Sequence, residues 1–137
     1  MRTRTTLTLA DAKRIADAAE AEAARQNWNV AIAVLDDGGH LLLLHRMDGT
    51  QIGSVAVAQE KARTAVLFKR PSKAFEEAVL GGRSVLLALP GATPIEGGLP
   101  LIHQGEVVGA IGVSGVLSSQ DGVVALAGCS ALAGIGA

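Results

Sequence analysis

Two short turns constrain the architecture more than any other feature. Asp37-Gly38-Gly39 separates the apolar runs Asn29–Asp36 and His40–Met47, and Gln104-Gly105 separates Leu101–His103 from Glu106–Ser114. Turns this short join antiparallel neighbours, because a parallel pair needs a crossover of about a dozen residues or more. The chain therefore reads as two β-hairpins. In the first strand Val30, Ile32 and Val34 alternate with Ala31, Ala33 and Leu35, so both of its faces are apolar and both require a cover.

The cover comes from helical segments between and around the hairpins. From Thr8 to about Gln26, Leu9, Ala12, Ile15, Ala16, Ala19 and Ala23 recur at helical spacing behind a Thr8…Asp11 capping pattern. Ser54 to Phe68 forms a second helix that the proline of Lys69-Arg70-Pro71 ends. Ser72 is placed to cap a shorter helix running to about Leu80, where Gly81-Gly82 stops it. Ser84–Ala88 fits either a helical turn or a short strand, and Pro90–Pro100 reads as an irregular loop. Ser118…Asp121 repeats the capping pattern and opens a last helix toward Ala133. The order is helix, hairpin, two helices, hairpin, helix. That order predicts one α+β domain over residues 1–137, an antiparallel sheet with helices on its faces.

Composition excludes several function classes. Twelve basic and 13 acidic residues leave a formal net charge of −1, with no long-range field toward nucleic acid or an anionic membrane. One Trp, two Phe and no Tyr leave no aromatic platforms on which bases could stack. The single Cys129 forms neither an intramolecular disulfide nor a cysteine-rich metal site, and its small apolar surroundings predict a buried, inert thiol. Basic residues near the start are not followed by an apolar stretch, and the apolar run after Val123 is too short to span a bilayer. A soluble cytoplasmic protein is expected.

Lys61 is the residue most informative about chemistry. On the Ser54–Phe68 helix, Val55, Ala58, Ala62, Ala65 and Val66 form the apolar face and Gln59, Glu60 and Arg63 lie opposite. Lys61 falls at the edge of the buried side. A lysine there snorkels, pairs with a carboxylate, or faces a pocket. Arg46 and Asp48 end a strand at a glycine-bearing loop, where an ion pair or a ligand contact is expected. His45 points to the other face from Arg46 and is the one candidate metal ligand, although His40, His45 and His103 follow no metal-binding spacing. Glu96 lies in the irregular loop beside Gly97-Gly98. Ala110, Gly112 and Ser114 share one face of the last strand, so a helix, a subunit or a ligand approaches it closely.

Taken in order, Asp36-Asp37-Gly38-Gly39-His40, Arg46-Met47-Asp48-Gly49, Lys61-Ala62-Arg63-Thr64-Ala65, Gly97-Gly98-Leu99-Pro100-Leu101 and Gly109–Gly115 with Gln120-Asp121 resemble a known family. It is the HbpS-like haem-binding and glycolate-operon GlcG family, which includes the C-terminal domain of PduO-type proteins. The likeness runs from about Leu7 to about Leu132. It implies a profilin-like α/β/α fold, homo-oligomers from dimers to octamers, and haem binding in some members.

Two functions follow as expectations. One is an oligomeric protein whose cleft, lined by Arg46, Asp48, Lys61, Glu96, Gly97, Gly98 and Ser114, holds a small anionic metabolite or haem. The other is a small catabolic enzyme with Lys61 as base or carbonyl-polarising cation and Glu96 as its proton partner. No nucleophile–base–orienter set is visible, which favours binding.

Overall fold

A computed structural model describes residues 1–135; the last two residues of the expected 1–137 domain lie outside it. Nine elements follow the expected order: α1 (Leu9–Arg25), β1 (Ala31–Asp36), β2 (Leu41–Arg46), α2 (Ser54–Phe68), α3 (Ser72–Leu80), a 3-10 turn (Ser84–Ala88), β3 (Gly98–His103), β4 (Glu106–Ser114) and α4 (Ser118–Leu132). The strands form one antiparallel sheet in the order β2-β1-β4-β3, so the two hairpins meet along β1 and β4. At the second turn both Gln104 and Gly105 have positive φ, as a tight primed turn requires.

Side-chain alternation sorts the core into two layers. Ile32, Val34, Ile111 and Val113 face α1 and α4, which lie side by side on one face of the sheet. Ala31, Ala33, Leu35 and Ala110 face α2 on the other. Each fully buried Val or Ile contributes about 1.5–3 kcal/mol, and most of the large ones lie in the first layer. The alanine layer contributes less per residue but brings α2 close to the sheet. A Cβ on Gly112 would stand 2.0 Å from the Ala58 carbonyl oxygen. The close approach expected at the small-residue face of β4 is therefore made by a helix.

Three local expectations change. Thr8 does cap α1, with Asp11 bonding back to its backbone. Ser72, by contrast, is not a cap. It is the first residue of α3, and its hydroxyl donates to the Ile95 carbonyl and accepts from the Gly98 N–H. At α4 the backbone N–H of Leu117 donates to Gln120 Oε1, and the Asp121 carboxylate turns inward instead of closing a capping box. Finally, β3 begins at Gly98, so the end of the expected loop is strand. Pro100 is tolerated because β3 is an edge strand. The ambiguous Ser84–Ala88 is helical.

The remaining loop is pinned to the helices. Thr64 Oγ1 accepts from Thr93 N–H at 2.8 Å and shares its one proton between the Glu60 carbonyl at 2.8 Å and the Gly91 carbonyl at 3.3 Å. With Ser72 holding Ile95, the segment is fixed at both ends, and Ile95 becomes a wall of the cleft described next.

Candidate functional site

Lys61 points inward. Its ammonium group donates to Asp121 Oδ2 at 2.9 Å and to the Val113 carbonyl at 3.1 Å, and both charged side chains are only 2% exposed. Asp121 Oδ1 accepts from the Val116 N–H. The ion pair thus ties α2 to the start of α4 across the end of β4. Burial pushes the Asp121 carboxyl above its ordinary value, against the opposing pull of hydrogen bonding and charge from Lys61 and of the Val116 and Gly115 backbone.

The backbone is shaped to admit this lysine. A Cβ on Gly97 would stand 3.0 Å from Lys61 Nζ, and Gly97 has φ of +134°, a conformation open to glycine alone among common residues. A Cβ on Gly98 would stand 2.1 Å from the Lys61 carbonyl oxygen. The glycine pair is therefore a seat for α2.

Above the pair lies a cleft of about 380 Å³, lined by Gln51, Ser54, Val57, Lys61, Ile95, Ser114, Val116, Ser118 and Asp121. Ser114 Oγ lies 3.3 Å from Ser54 Oγ, and Gln51 Nε2 donates to Ser54 Oγ. The first residues of both α2 and α4 lie on its rim, so the positive ends of two 15-residue helices border the same space. An ammonium has three donors and two are engaged. Hydroxyls, one remaining ammonium proton and two helix starts make a site suited to carboxylate oxygens, with Val57, Ile95 and Val116 as aliphatic walls.

The expected site residues do not all assemble. Lys61 and Ser114 line this cleft. Glu96 does not supply the carboxylate that meets Lys61: its own partner is Lys73 at 4.0 Å, its backbone N–H donates to Glu76, and its carboxylate lies against Gly122 of α4. Arg46 and Asp48 line a separate shallow depression with Glu20, Asn29 and Met47. Arg46 shares the row Arg46–Ala31–Ser114 but stands on the edge strand, two strands from Ser114. His45 lies on the α1 side, its Nδ1 3.2 Å from Glu20 Oε1 but out of line for a hydrogen bond. Among the described residues no group of three His, Cys, Asp or Glu is placed to hold a metal ion.

Asp121 is the residue that sequence reasoning missed. Its position at a helix start reads as a cap, and only the inward placement of Lys61 signals that some carboxylate must meet it. Cys129 is partly buried, and burial raises its thiol to about 11. No helix among the described residues is long and apolar enough to cross a membrane.

Comparison with known proteins agrees with this fold. Residues 7–130 match the family model described as haem degrading protein HbpS-like. Protein GlcG of Escherichia coli is 46% identical over 114 residues, which cover 83% of this chain and 85% of GlcG. The crystal structure of Klebsiella pneumoniae protein ORFY superposes with a TM-score of 0.92 at 32% identity, covering 98% of this chain and 96% of ORFY. That of PduOC in complex with haem superposes at 0.85 with 26% identity, covering 93% and 95%.

Proposed function

The chain belongs to the HbpS-like family, and from that premise we propose that it is an oligomeric small-molecule-binding protein whose Lys61–Asp121 cleft holds a small carboxylate. The observation that carries this reading is the buried ion pair at the floor of a cleft bordered by the Ser54–Ser114 hydroxyl pair. The oligomer is supported by Leu117, just before α4, and Val123 and Leu126 on it, apolar side chains that stand exposed. Binding is favoured over catalysis because Lys61 Nζ is already committed to the Asp121 carboxylate and the Val113 carbonyl, and Glu96, the proposed proton partner, pairs with Lys73 instead.

Calorimetric titration with two- to four-carbon carboxylates tests this. Saturable binding to the wild type is expected, with Ser114→Ala about tenfold weaker at unchanged melting temperature. No binding by any of them, or equal binding by Ser114→Ala, contradicts it.

Haem is a second reading, favoured by the similarity to PduOC, which is known in complex with haem. The residues of the Lys61 cleft do not fit it. Among the described residues lining the cleft there is no histidine, cysteine or methionine to meet the iron, and the walls are narrow aliphatics. A saturable Soret band on haemin titration, unaffected by Ser114→Ala, would support haem bound elsewhere on the chain; a spectrum identical to free haemin would remove this reading.

A further inference from the structure

A second groove lies between α3 and the 3-10 turn and shares no lining residue with the Lys61 cleft. Its volume is about 380 Å³, and its lining includes Phe68, Phe75, Leu86 and Leu89, with Arg70 and Arg83 beside them. In a chain with only two phenylalanines, both converge here, edge to face at 5.3 Å. Phe75 and Leu86 are buried and form the floor, and Leu80, Val85 and Leu87 stand exposed on the same α3 and 3-10 segment.

The two arginines give the groove its sign. Arg70 Nε donates to the Phe68 carbonyl at 3.0 Å, and the guanidinium lies over the Phe75 ring at 5.6 Å. This holds the fork in place, and among the described residues its two terminal amino groups have no hydrogen-bond partner. Among the described residues neither Arg70 nor Arg83 has a carboxylate within 4 Å, although Glu76 and Glu77 stand on the neighbouring helix. An apolar pocket with a few convergent polar groups is the general form of a small-molecule site. A preoriented guanidinium fork selects a carboxylate or sulfonate.

We propose that the α3 groove binds a small amphipathic acid, with an apolar body on Phe68, Phe75 and Leu86 and its acid group on Arg70 and Arg83. The probe is 1-anilinonaphthalene-8-sulfonate, followed by fluorescence and displaced with decanoate or decanol. The wild type is expected to bind it saturably. The R70Q/R83Q variant should bind about tenfold more weakly, while R63Q on the outer side of α2 should bind as the wild type does. Ala78→Trp, which fills the groove, should abolish binding, and decanoate should displace the probe at about tenfold lower concentration than decanol. Melting temperatures identify any variant whose fold is disturbed, and the decanoate–decanol comparison needs only the wild type. Equal displacement by the alcohol, or unchanged probe binding in a folded R70Q/R83Q, overturns the proposal. Light scattering that shows R70Q/R83Q dissociating an oligomer also overturns it, in favour of a second copy seated in the groove.

Discussion

Lys61 Nζ lies 2.9 Å from Asp121 Oδ2, although the two residues are 60 positions apart and neither side chain is more than 2% exposed. Removing two charges from water is costly, and burial holds the Asp121 carboxyl above its ordinary value despite the nearby lysine. The pair joins α2, the end of β4 and the start of α4 around one cleft.

Close packing of α2 onto the sheet predicts a sharp difference between two glycines. Gly112→Ala would drive a Cβ to 2.0 Å from Ala58 O and 2.6 Å from Ala62 N, backbone atoms that cannot swing aside. A loss of about 3 kcal/mol is expected on denaturant unfolding. Gly53→Ala, with nothing within 4 Å and a helical φ of −60°, should leave stability unchanged or slightly raised.

Thr64 carries the loop after the 3-10 turn. Thr64→Val keeps the shape but strips the acceptor from the Thr93 N–H and the donor from the Gly91 carbonyl. A cost of about 1–3 kcal/mol is expected, together with faster hydrogen exchange at the Thr93 amide. Exchange in β1 and β4 should be unaltered below the global unfolding limit.

Cys129 has a thiol raised from 9.0 to about 11 by burial. A rise of that size lowers the thiolate fraction at pH 8 about a hundredfold, so alkylation there should be slower than for an exposed cysteine by roughly that factor. The folded value lies above the unfolded one, so the folded state keeps a proton that the unfolded chain loses. The stability of the wild type relative to Cys129→Ala should therefore be constant below pH 9 and fall between pH 9 and 11.

Much of the fold was legible because local signals agree: the Thr8 cap, the two glycine turns and the apolar alternation of β1 each specify one structure. The start of β3 was not, since two glycines and Pro100 read as loop when the strand's edge position is unknown. At the site, helical periodicity places Lys61 on the inner side but says nothing of which distant carboxylate meets it. Glu96 was the nearer candidate by loop chemistry, and the structure instead gives Lys61 the carboxylate of Asp121. Strand alternation likewise gives Arg46 its face but not its distance from Ser114, which depends on the order of strands in the sheet.

The buried pair itself is tested most directly by a double-mutant cycle on unfolding free energy with Lys61→Met, Asp121→Leu and their combination. Each single change strands a charge in the interior and should cost about 3–5 kcal/mol, whereas the combined variant should lie close to the wild type. Losses that simply add in the double variant would contradict the account, because Lys61 and Asp121 would then be acting independently.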